Sequence, residues 1–161
     1  SKDTELCRRW QNQYPAIFLS FKDVDGLTFE SAYEMLSATI TDLYKKHLYL
    51  LDSAQINAYD KEIMHQIIEG RASVTEIKKS LALLITAMRQ HYGRQVILLL
   101  DEYDVPVAKA SSHGYYAQMM EVIKALMSTT LKDNASLQFA VLTGCLKIAF
   151  LQEPIILFQI Q

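Results

Sequence analysis

The 161-residue chain has few of the residues that mark a secreted, membrane or nucleic-acid-binding protein. Its two cysteines, Cys7 and Cys145, form neither a CxxC motif nor a disulfide framework, which fits a reducing compartment. No apolar run is long enough to span a membrane, and the first residues lack the layout of a signal peptide. The net charge of −2 shows no basic excess. We therefore expect a soluble, cytoplasmic protein with no membrane partner and no direct nucleic-acid signal.

Glycine is also scarce, and this scarcity excludes one common nucleotide-binding motif. The chain has five glycines, and none of them is followed by Lys-Ser or Lys-Thr, so no GxxxxGK[ST] loop is present. The four histidines are scattered without metal-ligand spacing, and we expect no metal site from them. Half of the residues are hydrophobic and 21% are charged, which is the composition of one folded domain with a real core.

The hydrophobic periodicity predicts strands and helices in an alternating order. Short apolar runs predict strands, and repeats at three and four predict helices that begin at caps such as Thr28 and the Ser73–Glu76 capping box. The expected order is a strand at 16–21, helices at 28–48, 53–69 and 73–93, a strand at 96–101, a helix at 114–131 and a strand at 137–144. This order predicts an α/β fold with right-handed crossovers and a three-layer parallel sheet.

The most informative segment is the buried strand that ends in Asp101 and Glu102. Five apolar residues, Val96 to Leu100, run directly into the two acids. Such a strand delivers its last residues to the carboxyl edge of the sheet, where open α/β folds bind their ligands. One carboxylate there can support Mg²⁺ and the next can orient or deprotonate a water. The simpler alternative is an acidic pair that caps the next turn or meets solvent.

The last predicted strand also ends in a polar side chain, Thr143, before Gly144. A small hydroxyl at a carboxyl strand end can hydrogen-bond a water or a phosphate oxygen. The alternative is a threonine that satisfies its own backbone before a glycine turn.

Three segments together resemble a known family. They read VILLLDEYDVP from Val96 to Pro106, LQFAVLTG from Leu137 to Gly144, and YPAIFLSFKDVDG from Tyr14 to Gly26. This set resembles the AAA-ATPase-like family of microbial P-loop ATPases, over residues from about Trp10 to Ala149. Many members carry a C-terminal nuclease-like domain of the PD-(D/E)xK type, which the resemblance implies as a partner domain in a full-length protein.

The resemblance implies roles for individual residues, with ATP and Mg²⁺ as cofactors. Asp101 matches the Walker B aspartate that supports Mg²⁺, and Glu102 matches the glutamate that polarises the attacking water. Thr143 lies where the sensor 1 residue would lie. Asp104 and Pro106 match the family pattern without a physical role beyond shaping the exit from the strand. Arg89 and Arg94 flank the strand at its other end, so neither is assigned as an arginine finger.

The chain departs from the family because the Walker A loop is missing. The family order 5-1-4-3-2 then implies a partial domain over residues 1–149, an incomplete P-loop sheet that holds strands 2, 3 and 4 with flanking helices. The strand at 137–142 would be an exposed edge. ATP binding by such a fragment is expected to be weak or absent, because the amides that cradle the phosphates are gone.

Residues 150–161 form a divergent tail. Where the family continues with a segment resembling IFTGTNNF, this chain reads FLQEPIIL from Phe150. Codons for IFTGTNNF read one base later can encode FLQEPIIL, so we hypothesise a frameshifted tail. The alternative is a genuine divergent strand, since Ile155 to Phe158 has the composition of one.

Two other functions compete with an ATPase fragment. The chain could be a non-catalytic α/β module that uses its helices for protein contacts, with Asp101 and Glu102 as structural residues. A carboxylate-dependent metal nuclease is the third option. It is disfavoured because no ExK-type lysine follows, and because adjacent residues of one strand point to opposite faces.

Overall fold

Four parallel strands form the sheet, and each pairs with the next one along the chain. The computed structural model describes residues 12–145 and the backbone of residues 155–159. Cys7 and the start of the tail at Phe150 lie outside the described residues. The strands are β1 (Ala16–Ser20), β2 (Val96–Asp101), β3 (Leu137–Gly144) and β4 (Ile155–Gln159), in the order β1-β2-β3-β4. The three predicted strands are confirmed, and their order is the one that the family resemblance implies.

Five α-helices and one 3₁₀ helix connect the described strands. They are α1 (Phe29–Lys45), the 3₁₀ helix (Leu48–Asp52), α2 (Ala58–Ile68), α3 (Val74–Tyr92), α4 (Val105–His113) and α5 (Tyr116–Leu131). The predicted caps are present: the Thr28 side chain accepts from the Ser31 amide, and Ser73 and Glu76 form a reciprocal capping box. These caps fix where α1 and α3 begin because they satisfy amides that the first turn leaves unpaired.

The described helices cover one face of the sheet. Each crossover moves to the next strand in the same direction, and right-handed crossovers then place their helices on the same side. The burial alternates accordingly, with the covered face made of Ile17, Leu19, Val96, Leu98, Leu100, Ala140 and Leu142. On the opposite face, Phe18 pairs in register with Leu99, and they are 59% and 37% exposed. Residues 12–145 therefore show two of the three expected layers.

The prediction that β3 is an exposed edge strand is wrong. Strand β4 pairs with β3 in parallel, with Ala140 opposite Ile155 and Thr143 opposite Phe158. The tail thus contains the β-strand that its composition favoured, and the backbone groups of β3 are paired on both sides. The frameshift hypothesis concerns the origin of this segment and stays a hypothesis.

The helix at α4 was not expected from the sequence. Pro106 was interpreted only as the residue that ends the strand, whereas it lies in the first turn of α4, which has Asp104 as its N-cap. Proline is tolerated there because the first amides of a helix have no intrahelical partner. Helix α2 also begins later than the predicted Ser53, at the Asn57 cap, because the chain forms a turn between the end of the 3₁₀ helix at Asp52 and that cap.

Side-chain hydroxyls connect the helices to one another. Thr41 donates to the Ile67 carbonyl at 2.8 Å, Tyr44 donates to the Ser80 carbonyl at 2.7 Å, and Thr129 donates to the Lys78 carbonyl at 2.8 Å. Each of these bonds joins two different helices, so they add directional contacts to the apolar core. No helix in the described part of the chain has the length and apolar character needed to cross a bilayer.

We expect Tyr44→Phe to lower the free energy of unfolding by about 1 kcal/mol, since the variant loses one buried hydrogen bond and keeps the ring. Burial, with a contribution from Asp60, raises the pKa of Tyr44, so the phenol remains a donor. Urea unfolding measures the change. Tyr59→Phe is the matched control because Tyr59 is 87% exposed. Equal stability of the two variants would show that the Tyr44 bond contributes nothing.

Candidate active-site edge

The residues singled out in the sequence meet at the carboxyl edge of the sheet. Asp101 is the last residue of β2, and its register partner in β1 is Ser20. Thr143 lies one residue before the end of β3, which pairs with β2 on the other side. Strand pleating places Asp101 and Thr143 on the face that the described helices do not cover. Ser20 is a third polar side chain at this edge, which the sequence analysis did not single out.

Thr143 joins the two acidic residues through one hydroxyl. Its Oγ1 donates to Oδ1 of Asp101, and it accepts a hydrogen bond from the Glu102 amide at 3.3 Å. The Thr143 carbonyl accepts from the Tyr103 amide at 3.1 Å. The alternative in which Thr143 satisfies only its own backbone is therefore wrong. The three residues expected to act together form one hydrogen-bonded group.

Glu102 lies outside the strand, in a left-handed backbone conformation. Its φ is 52°, a region that non-glycine residues rarely adopt. The chain therefore turns directly after Asp101, and the alternation of faces along the strand does not extend to Glu102. The argument that the two acids must point to opposite faces does not apply here. Backbone strain of this kind occurs where the surrounding structure over-determines a position, often at functional sites.

Asp104 connects the exits of β2 and β3. Its side chain is only 3% exposed, and its Oδ2 accepts from the Cys145 amide at 2.9 Å. A buried carboxylate is costly unless it is hydrogen-bonded, and bonds to a charged acceptor are stronger than neutral ones. Asp104 therefore has a physical role that the sequence analysis lacked, because it holds the segment after β3 against the start of α4.

Gly144 makes this contact possible. A Cβ atom at position 144 would lie 2.4 Å from Asp104 Oδ1 and 2.7 Å from Tyr103 Cε1. Tyr103 is fully buried, so its ring has no open space to move into. A glycine directly after a polar strand-end residue was the available sequence signal for this close approach.

The donor set at this edge suits a hard divalent cation. The Asp101 carboxylate and the Thr143 hydroxyl supply oxygen, the ligand atom that Mg²⁺ prefers. One carboxylate beside a hydroxyl fits a Mg²⁺ ion whose other ligands are waters and phosphate oxygens. In the described part of the chain, no cluster of three or more His, Cys, Asp or Glu residues could hold a metal ion. The carboxylates therefore do not form a protein-only metal cage.

Arg89 and Arg94 lie away from this group, as expected. Arg89 donates to the Ala135 carbonyl at 2.9 Å, and Arg94 donates to the Gln13 carbonyl at 2.8 Å. Both carbonyls precede the first residues of their strands, at the amino edge of the sheet. The strands are about 17 Å long at the usual rise per residue, so these side chains are remote from Asp101.

Comparison with known proteins gave one informative match. The model of the AAA-ATPase-like family, described as a predicted AAA-ATPase, matches residues 2–152. The match covers the strand of Asp101, the strand of Thr143 and the segment from Tyr14 to Gly26. No curated protein and no solved structure matched the chain.

We expect Gly144→Ala to lower the free energy of unfolding by about 2 kcal/mol or more, because the added methyl overlaps buried atoms of Asp104 and Tyr103. Gly70→Ala is the control. Gly70 has a φ of 69° and no atom within 4 Å of an added Cβ, so this variant carries only backbone strain of about 1 kcal/mol. Denaturant unfolding compares the two. A smaller loss for Gly144→Ala than for Gly70→Ala would contradict the close approach.

We also expect Glu102→Gly to be more stable than Glu102→Ala by about 1 kcal/mol, since glycine adopts the observed positive φ without a steric penalty. The same pair of substitutions at Glu34, an exposed site within α1, should give the opposite order. Thermal unfolding of the four variants decides the matter. If alanine is the more stable replacement at both positions, Glu102 is not strained.

Proposed function

The chain belongs to the AAA-ATPase-like family, and on that premise we propose that it provides the metal-supporting and water-activating part of an ATP hydrolysis site. Family membership implies nucleotide and Mg²⁺ use. The observation that carries the proposal is the hydrogen-bonded group of Asp101, Glu102 and Thr143 at the carboxyl edge of a parallel sheet. Ligands of open α/β sheets bind at such edges.

Asp101 acts as the Walker B carboxylate in this proposal. When bound, Mg²⁺ neutralises charge on the phosphate oxygens during transfer. Asp101 would support it with the oxygen that does not accept from Thr143, directly or through water. The Thr143 hydroxyl limits the rotation of the carboxylate, so the remaining oxygen has a defined position.

Glu102 acts as the residue that orients and deprotonates the attacking water. It follows the metal-supporting residue immediately, and its left-handed backbone turns it away from the strand alternation. The amide of Glu102 is fixed by Thr143, so the base and the metal ligand share one support. In this proposal Thr143 acts as the sensor 1 residue, whose hydroxyl would bond a water or a phosphate oxygen.

The proposed site needs a phosphate-binding loop that these 161 residues do not contain. A P-loop supplies backbone amides and a lysine to the phosphates, and these contacts provide much of the nucleotide affinity. We propose that this loop belongs to sequence outside the 161 residues, as the family arrangement implies. The carboxyl edge described here should then bind ATP weakly in the absence of that loop.

The test uses a longer chain of the family in which a GxxxxGK[ST] loop precedes these segments. Replacement of the residue at the Glu102 position by Gln should lower the rate of ATP hydrolysis at least about a hundredfold while ATP binding persists, because only the water-activating group is lost. Replacement at the Asp101 position by Asn should lower both hydrolysis and the Mg²⁺ dependence of ATP binding. Hydrolysis is followed by phosphate release and binding by equilibrium titration.

Replacement at the Glu34 position by Gln is the control, since Glu34 is exposed on α1 and remote from the edge. Unchanged hydrolysis after replacement at both Asp101 and Glu102 would refute the proposal. It would favour the non-catalytic α/β interaction module, in which the acidic pair is structural.

A further inference from the structure

A cavity of about 440 Å³ opens at the amino edge of the sheet, opposite the edge that carries Asp101. We call it the tyrosine cavity, and the lining residues that matter here are Asn12, Gln13, His47, Tyr49, Tyr92 and Arg94. Its volume lies within the range of small-molecule sites. The cavity is a strand length away from the proposed hydrolysis site, so a ligand bound in it would be distinct from the substrate there.

Aromatic rings form one wall of the tyrosine cavity. Tyr49 and Tyr92 are 39% and 47% exposed, with ring centroids 6.2 Å apart in an edge-to-face arrangement. His91 packs edge-on against Tyr92 at 4.8 Å and lies 5.5 Å from Tyr49. Large apolar rings with this degree of exposure leave a surface on which another flat ring can stack.

A relay of hydrogen bonds holds these rings in place. The Tyr92 hydroxyl donates to the Tyr49 hydroxyl at 2.9 Å, and the Tyr49 hydroxyl lies 3.0 Å from Nδ1 of His47. Burial, with a smaller contribution from Lys46, lowers the pKa of His47, so its imidazole is neutral at pH 7 and can accept from Tyr49. Preorganised walls reduce the entropy lost when a ligand binds.

The charge of the cavity favours an anion. None of the described residues that line it is an aspartate or a glutamate, and Arg94 contributes a guanidinium. One N–H of Arg94 donates to the Gln13 carbonyl, which orients the group, and a guanidinium has five N–H donors in total. Within the described residues, Arg94 forms no salt bridge. Another cavity of this chain, lined by Asp60 and Glu76, lacks this character.

We propose that the tyrosine cavity binds a nucleotide, with the base stacked on the ring of Tyr92 beside the inclined ring of Tyr49 and a phosphate bonded to Arg94. Stacking on aromatic side chains beside a cationic group is the general mode in which proteins hold bases and phosphates without sequence selection. The side-chain amides of Asn12 and Gln13 offer donors and acceptors that suit the edge of a base. A free mononucleotide and the terminal nucleotide of a single-stranded nucleic acid both present such a base and phosphate.

The experiment titrates the 161-residue chain with two probes at low salt. Binding of adenosine 5′-monophosphate is measured from the NMR shifts of the tyrosine and histidine rings. Binding of a labelled oligothymidine of about eight nucleotides is measured by fluorescence anisotropy. We expect Arg94→Gln and Tyr92→Leu each to weaken binding about tenfold or more. Tyr92→Phe, which keeps the ring, should retain affinity within about threefold.

Two control variants separate the effect of the cavity residues from that of general surface charge. Arg71→Gln removes the same charge from an exposed arginine that pairs with Glu69 and does not line the cavity. Glu34→Gln alters an exposed residue on α1 that does not line the cavity. Neither should change the affinity for either probe by more than about twofold. Thermal unfolding of each variant confirms that the chain remains folded.

If both probes bind, a mononucleotide is sufficient as the ligand. If only the oligothymidine binds, the ligand is a single-stranded nucleic acid. Both results support the proposal. Failure of both probes to bind at millimolar concentration overturns it. It is equally overturned if Arg71→Gln weakens binding as much as Arg94→Gln does, or if Tyr92→Leu leaves binding unchanged.

Discussion

The connection between the carboxyl ends of β2 and β3 is the constraint on which the candidate site depends. Thr143 bonds the side chain of Asp101 and the amide of Glu102, while Asp104 bonds the amide of Cys145. One contact runs from β3 to β2 and the other from the exit of β2 back to the exit of β3. The acidic residues are therefore positioned by two reciprocal links between neighbouring strands, rather than by the end of one strand alone.

The two faces of the sheet differ in whether helices cover them, and this difference follows from the handedness of the connections between strands. The strands follow one another across the sheet in chain order, and right-handed crossovers that advance in one direction place their helices on one face. Asp101 and Thr143 lie on the other face by strand alternation. The helices can therefore pack against one face of the sheet without covering the side chains of the candidate site.

Sequence reasoning predicted the elements whose signals are local. The caps at Thr28 and Ser73, the apolar run before Asp101 and the polar end at Thr143 are all written in short segments, and the structure contains the corresponding helices and strands. Helix α4 was missed because a proline was interpreted as a breaker, although its first-turn position is favourable. The tyrosine cavity was missed for a different reason. His47 and Tyr49 belong to the 3₁₀ helix and its cap, whereas Tyr92 ends α3, and only the folded chain brings these rings together.

The contact between Asp104 and Gly144 limits which residues the chain can tolerate at these two positions, because it depends on the absence of a side chain at Gly144. The carboxylate of Asp104 occupies the space that a Cβ at position 144 would need. A larger residue at 144 thus becomes tolerable only after position 104 or the Tyr103 ring has already changed. Change at 104 alone removes the acceptor of the Cys145 amide. The two positions, forty residues apart in sequence, can therefore be replaced without loss of stability only in a restricted order.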